Sequence, residues 1–306
     1  VKETLFFHCG FPMPTLIIHN PTAGRSRRRR LDAFIDRLGR LGMATSLRQT
    51  GKAGDATIFA AGSTAGTVVA AGGDGTMNEV ANGLAGSDAR LAFMPLGTAN
   101  VLAWEIGLGS SPERAAAVVA GDVEISVHAG LANGRRFLLM AGIGFDAWTV
   151  RAVDLRQKRL LGPLAYVIAM VRVLRRFPFP DYRVTVDGVA HAACSVIVCR
   201  GRCYGGPFVL APAAGLEAGL LQVLLFERGG VGAVIRFGLA LLTGRMATAS
   251  GVRIIAGREI RIEGPAGDPV QLDGDLAGTL PLDIAIDERP LRLAVPAQRP
   301  AGNRRG

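Results

Sequence analysis

Apolar and polar residues alternate in blocks along the first third of the chain. Thr15–His19 is a short apolar run that predicts a strand, and the loop "NPTAGR" follows it. Leu31, Phe34, Ile35, Leu38 and Leu41 then recur at helical spacing. Ala44–Arg48 predicts a second strand, and "TGKAGDATIFAAG" predicts a loop entering a helix of small residues. Thr67–Ala71 and Leu91–Met94 read as buried strands; one ends in "GGDGTMN", the other in "PLGTAN". Ser111-Pro112 marks a helix start, with Ser as N-cap and Pro at the first helical position. This strand–helix alternation predicts a parallel sheet covered by helices.

The texture changes near Glu124. "LANGRRFLLMAGIG" and "YRVTVDGVAHAACSVIVCR" predict hairpins turning at Asn133-Gly134 and Asp187-Gly188, both suited to type I′ turns. Gly219–Phe226, Arg253–Ile255, Glu259–Glu263 and Val270–Leu272 predict further strands. Leu160–Leu174 and Val231–Thr243 are apolar, helix-like stretches interrupted by Arg172 and Arg236. The expected architecture is therefore α/β with two domains. An α/β domain spans residues 1–124. A β-rich domain spans 125–296, its last segment free to return to the first domain. A disordered tail covers 297–306.

Composition narrows the class. The chain has 306 residues, 49% hydrophobic and 20% charged, enough to bury a sizeable core. Its formal net charge of +10 favours anionic partners: nucleic acid, acidic lipid or phosphorylated ligands. The four cysteines form no C-x-x-C pair and suit a reducing compartment. No uncharged apolar run reaches the roughly 18 residues of a membrane span, and the N-terminus lacks a signal-peptide pattern. A cytoplasmic protein is expected.

The three loops Asn20–Gly24, Gly72–Thr76 and Pro95–Asn100 all follow predicted strands, and all combine Gly with a hydroxyl or amide residue. Glycine lets backbone N–H groups approach an anion, and a helix starting just beyond adds its positive end. The loops therefore suit the phosphates of a nucleotide. They are neither dinucleotide fingerprint nor Walker loop: residue 78 is Asn where the fingerprint needs Gly, and no Gly-Lys-Ser/Thr follows four spacers. Asp74 would be repelled by phosphate unless a divalent cation lies between them, or unless it orients an attacking hydroxyl. The plainer alternative is a turn cap. Asp273 and Asp275 in "QLDGDLAG" pose the same choice between a general base and an ordinary Asp-Gly turn. Arg25 and Arg27–Arg30 crowd a helix start, against the macrodipole, which suggests an external anion or simply a solvated charge run.

Taken in order, "NPTAGR", "GGDGTMNEVANGL" and "PLGTAN" resemble the diacylglycerol kinase catalytic-domain family, which includes bacterial lipid kinases, sphingosine kinases and ceramide kinases. "TGKAGDA", "AGIGFDAWTV", "YGGPFVLAPAAGLEAGLLQV" and "LDGD" are similar to its other blocks, so the resemblance covers nearly the whole chain. It implies a nucleotide-binding α/β domain, a β-sandwich-like second domain, and ATP- and Mg2+-dependent phosphorylation of a lipid hydroxyl. Nucleotide contacts would fall on Asn20, Pro21, Thr22, Ala23, Gly24, Thr50, Gly72, Gly73, Asp74, Gly75, Thr76, Met77, Asn78, Glu79 and Thr98. Asp74 would meet the ATP-bound Mg2+, and the base would be Asp275 or Asp273. Glu217, Ala218 and Gln222 stand where the family usually has aspartates, the second of which helps hold a structural Mg2+ in bacterial members. Ala218 cannot ligate a cation, which leaves Glu217 as the acid around which such a site could be rebuilt.

The expected partners are a lipid substrate and an anionic membrane surface, met peripherally, with no nucleic acid; homodimerisation is left open. Two alternatives remain: an NAD kinase-like enzyme acting on a soluble substrate, and a catalytically weak lipid-binding or regulatory protein.

Overall fold

A computed structural model describes residues 14–22, 27–154, 162 and 164–298. Five strands open the chain: β1 (Thr15–His19), β2 (Thr45–Gln49), β3 (Thr67–Gly72), β4 (Arg90–Pro95) and β5 (Glu124–Val127). Between them run α1 (Arg27–Arg40), α2 (Asp55–Ala61), α3 (Asp74–Gly83), α4 (Val101–Glu105) and α5 (Pro112–Ala120). β1 to β4 pair in parallel. Ile17, Ile18, Val68, Val69 and Ala70 are fully buried, as a sheet covered on both faces requires. Ser111 caps α5 by accepting from the Arg114 N–H (3.2 Å).

The second region holds β6 (Gly130–Ala132), β7 (Arg135–Phe137), β8 (Met140–Ile143), α6 (Phe145–Ala152), α7 (Leu164–Leu174), β9 (Tyr182–Val186), β10 (Val189–Ala193) and β11 (Ser195–Cys199). Then come β12 (Cys203–Tyr204), β13 (Phe208–Val209), β14 (Leu221–Phe226), α8 (Val231–Leu242), β15 (Val252–Gly257) and β16 (Ile260–Glu263). β17 (Pro269–Leu272), β18 (Asp275–Thr279), β19 (Leu282–Ile286) and β20 (Leu291–Ala294) complete the order.

Two antiparallel six-stranded sheets result, ordered β10-β9-β16-β19-β6-β7 and β15-β14-β11-β8-β17-β18. One core joins them, with Val184, Ile262 and Leu282 of the first against Val196, Val223 and Val270 of the second. That is a β-sandwich. The residue pairs at 133–134, 187–188 and 273–274 all take positive φ, as type I′ turns demand.

β20 leaves the sandwich and enters the first sheet, whose order is β2-β1-β3-β4-β20-β5. It lies parallel to β4 and antiparallel to β5.

Side chains also tie the two regions together. Asn82 Oδ1 accepts from the Arg136 N–H (3.0 Å), and Asn82 Nδ2 donates to the Arg136 carbonyl (3.1 Å). The Glu105 carboxylate, buried on α4, accepts from the N–H groups of Arg202 (2.8 Å) and Cys203 (2.9 Å) and from Arg202 Nε (3.0 Å).

Candidate active site

The parallel strands β1, β3 and β4 bring three loops to one end of the first sheet. The Asn20 N–H donates to the Ala71 carbonyl (3.1 Å), which holds the first loop against β3. Asn20 Nδ2 donates to Thr76 Oγ1 (3.3 Å) in the second loop. Its Oδ1 accepts from both the N–H (3.0 Å) and the hydroxyl (2.8 Å) of Thr22. The Thr50 N–H donates to the His19 carbonyl (2.9 Å), so the end of β2 lies beside the first loop. Pro21, Thr22 and Thr98 are exposed, while Ala23 and Gly24 lie outside the described residues.

Glycine is required where the second and third loops meet. A Cβ on Gly97 would lie 2.6 Å from the Gly73 Cα, and one on Gly72 would run into the Thr76 side chain. The loops therefore touch backbone to backbone. Gly73 is the N-cap of α3 and has no side chain to cap it, so the first-turn N–H groups of that helix have no side-chain cap. Uncapped amides and the helix dipole together favour an anion at this point.

The rest of the motif faces inward. Met77 is buried in the core. Asn78 Nδ2 donates to the Arg136 carbonyl (3.0 Å) and to Asp273 Oδ2 (2.8 Å), across the two regions. Glu79 Oε2 accepts from the Ala56 N–H (3.2 Å) in the first turn of α2, a favourable place for a carboxylate. The structure thus commits these three side chains to the frame beneath the loop.

The three acids have different surroundings. Asp74 is half-buried and accepts from the Leu102 N–H (3.4 Å) at the start of α4. Burial pushes its pKa up to about 6; the Asp273 charge adds to the rise, and the Leu102 bond opposes it. Asp273 sits in the turn between β17 and β18, with its carboxylate buried. That carboxylate accepts from the N–H groups of Leu138 (2.7 Å), Leu139 (2.8 Å) and Met140 (3.0 Å), and from Asn78. Four bonds fill the roughly four acceptor positions of a carboxylate. Asp275, two residues on, is exposed. A Cβ on Gly75 would lie 2.5 Å from Asp275 Oδ2. Asp275 therefore approaches the first turn of α3 from the second region, and a side chain at residue 75 would push its carboxylate away.

The arginine run at the start of α1 has internal work. Arg30 donates to the Pro95 carbonyl (3.0 Å) and to the Ser110 carbonyl, clamping α1 against the end of β4. Arg28 pairs with Asp32 one turn on (3.4 Å). Arg25 lies outside the described residues.

Among the described residues no group of three or more His, Cys, Asp or Glu side chains converges to hold a metal. Asp74 and Asp275, beside open amides, fit a cation that arrives bridged to phosphate. The 217–222 block does not fit a resident Mg2+: Glu217 is exposed and Ala218 offers no donor.

Residue-type reasoning missed Glu105, and it placed Asn100 in the third loop without giving it a role of its own. Asn100 takes a left-handed conformation (φ 47°), and its Nδ2 donates to the Gly97 carbonyl (2.8 Å). Its Oδ1 is buried without a partner beside the loop. The amide at the end of "PLGTAN" was the available signal. Glu105 had none, because its role depends on a chain segment about a hundred residues away.

Residues 14–132 match the diacylglycerol kinase catalytic domain, and residues 140–295 match the YegS C-terminal NAD kinase beta sandwich-like domain. The chain belongs to the diacylglycerol kinase catalytic-domain family. It is 28% identical over 292 residues to a diacylglycerol kinase of Bacillus subtilis (strain 168), covering 92% of this chain and 96% of that protein. A diacylglycerol kinase of Staphylococcus haemolyticus is also 28% identical, over 92% of this chain and 87% of its own. A crystal structure from Bacillus anthracis str. Sterne shares the fold, with a TM-score of 0.78 at 23% identity over 94% of this chain and 98% of that one. So does a diacylglycerol kinase structure from the same organism, with a TM-score of 0.69 at 20% identity over 93% of this chain and 97% of that one.

Proposed function

We propose that the protein is a lipid kinase, transferring a phosphoryl group from ATP to a lipid hydroxyl at an anionic membrane surface. The observation that carries this reading is the approach of Asp275 to the uncapped first turn of α3 at Gly75. The amides of that turn receive phosphate, and the half-buried Asp74 meets the accompanying cation. When bound, ATP with Mg2+ supplies the transferable group and neutralises its charge.

Asp275 is the base. It is exposed, and its carboxylate can take the proton of an acceptor hydroxyl. Asp273, whose acceptor positions are filled by Leu138–Met140 and Asn78, positions the turn instead.

Two helices support a lipid substrate. α7 exposes Leu164 (53%), Val167 and Val171, and α8 exposes Val231, Ile235 and Leu242 (65%). α8 is apolar on both faces, since Ala233, Phe237 and Ala240 fill its buried side. A helix that is apolar all round normally has something covering it. Residues 164–177 and 228–250 contain no acid, whereas Arg172, Arg175, Arg176, Arg228, Arg236 and Arg245 fall within them. Apolar faces set among arginines fit an anionic bilayer, where each basic residue contributes about 1 kcal/mol. Among the described residues no helix is long and apolar enough to cross one. The proposed placement is peripheral, on the cytoplasmic face of the membrane. The same faces disfavour the NAD kinase-like alternative, which acts on a soluble substrate.

The test is incubation of the purified full chain with labelled ATP, Mg2+ and vesicles carrying diacylglycerol, sphingoid base or ceramide. Label in one lipid supports the proposal. Vesicle binding without transfer to any lipid would favour the lipid-binding alternative.

A further inference from the structure

Arg200 is the largest fully buried side chain among the described residues, with an exposure of 0%. It directly follows β11. Its backbone N–H donates to the Leu139 carbonyl (2.7 Å), in the segment whose amides hold the Asp273 carboxylate. Its guanidinium donates through Nη2 to the Leu216 carbonyl (2.7 Å) and through Nη1 to the Leu220 carbonyl (3.2 Å). Nε is buried with no hydrogen-bond partner, and no carboxylate among the described residues forms an ion pair with the group. A buried cation without an acid is costly unless other oxygens replace its water. Main-chain carbonyls are what the structure provides.

Those carbonyls bracket Glu217–Gly219, the block where a family-type Mg2+ does not fit. Ala218 lacks a donor atom, and Gln222 lies within β14, paired with Cys199. Two main-chain oxygens of this turn, those of Leu216 and Leu220, already serve a guanidinium.

We propose that Arg200 is the built-in cation of the 216–220 turn, holding it by charge and by a two-pronged hydrogen bond, so that this part of the fold does not depend on a bound divalent ion. The guanidinium suits the task because its planar fork reaches two oxygens at once and keeps its charge when buried. Burial lowers its pKa to about 10, which still leaves it charged near neutral pH. The inference is independent of the lipid-kinase reading, because it concerns the fold without nucleotide.

The experiment is thermal unfolding of the full-length protein without nucleotide, in EDTA and in millimolar Mg2+. The wild-type midpoint is expected to be the same in both. A saturable rise with Mg2+ would overturn the proposal by revealing a resident divalent site. Arg200→Met keeps most of the volume and removes the charge; Arg200→Lys keeps the charge and loses the fork. The expected order of midpoints is wild type, then Lys, then Met. Equal losses for Lys and Met would reduce Arg200 to packing and overturn the cationic role. If neither variant folds, the wild-type comparison still decides between the two outcomes. Adding Ala218→Asp to Arg200→Met supplies an acid where the cation was, and is expected to make the midpoint rise with Mg2+. No response in a folded double variant would contradict the shared location of guanidinium and ion.

Discussion

Two hairpin turns share one local chemistry and carry different loads. Asp187-Gly188 joins β9 to β10, and Asp273-Gly274 joins β17 to β18. Their φ values nearly coincide, at 46° and 84° against 51° and 90°. The Asp187 carboxylate accepts from the N–H groups of Arg258 (3.0 Å) and Glu259 (2.8 Å) at the surface. The Asp273 carboxylate is buried, and it joins the β8 entry to α3. The turn type is set by two residues; the role is set by what the turn is pressed against. Asp187 fastens a sheet corner, whereas Asp273 fixes where Asp275 stands.

That contrast can be broken by substitution. Asp273→Ala leaves three amides and Asn78 without their acceptor in the interior. The expected loss is at least about 3 kcal/mol, since each unsatisfied buried group costs roughly 1–3 kcal/mol. Denaturant unfolding measures it, and activity should fall as well because Asp275 is released. Asp275→Asn separates the two acids. Stability should change by no more than about 0.5 kcal/mol, while lipid phosphorylation falls by about 10²–10⁴-fold. Near-normal turnover in this variant would return the base to Asp273.

Asp74 adds a pH dependence of the same direction as that of Asp273, whose pKa burial also raises. The Asp74 pKa is raised to about 6 in the folded chain, from an ordinary carboxylate value of about 4. The folded state therefore holds this proton more tightly than the unfolded one. The group's stabilising contribution is complete below about pH 4 and is lost as pH rises through about 6. Asp74→Asn should remove that part of the stability profile and abolish phosphoryl transfer while the protein stays folded. A wild-type-like pH profile in the variant would show that another group titrates. The smallest effect belongs to Asp187→Ala, at about 1 kcal/mol with transfer unchanged. A loss matching that of Asp273→Ala would mean that the two turns carry equal loads after all.

Much of the architecture could be read before any coordinates. The strand runs before each polar loop, the Ser111-Pro112 helix start and the three Asx-Gly turns are local signals, and they fall where local chemistry puts them. The three strand-end loops also come together, because parallel strands end on one side. Side-chain loyalties were less legible. Asn78 and Glu79 belong to a phosphate-loop motif by position, but bond to Asp273 and Ala56, 195 and 23 residues away. Arg30 reads as one charge in a surface run, yet it meets carbonyls 65 and 80 residues along the chain. Arg200 shows no pattern at all. Such partners are chosen by tertiary proximity, on which residue type and spacing are silent. The family resemblance supplied the order of the motifs, but it left the division of labour between Asp273 and Asp275 open. Hydrogen-bond saturation of one and exposure of the other are what the proposed division rests on.

The strand β20 bears on how the chain comes into being. It is an interior strand of the first sheet, flanked by β4 and β5, although its residues lie more than 160 positions beyond β5. On a ribosome, β1 to β5 emerge long before Leu291–Ala294 exists. Until then a gap separates β4 from β5, with backbone donors and acceptors unpaired on both sides. The first sheet therefore cannot be completed until the chain beyond the sandwich has been made.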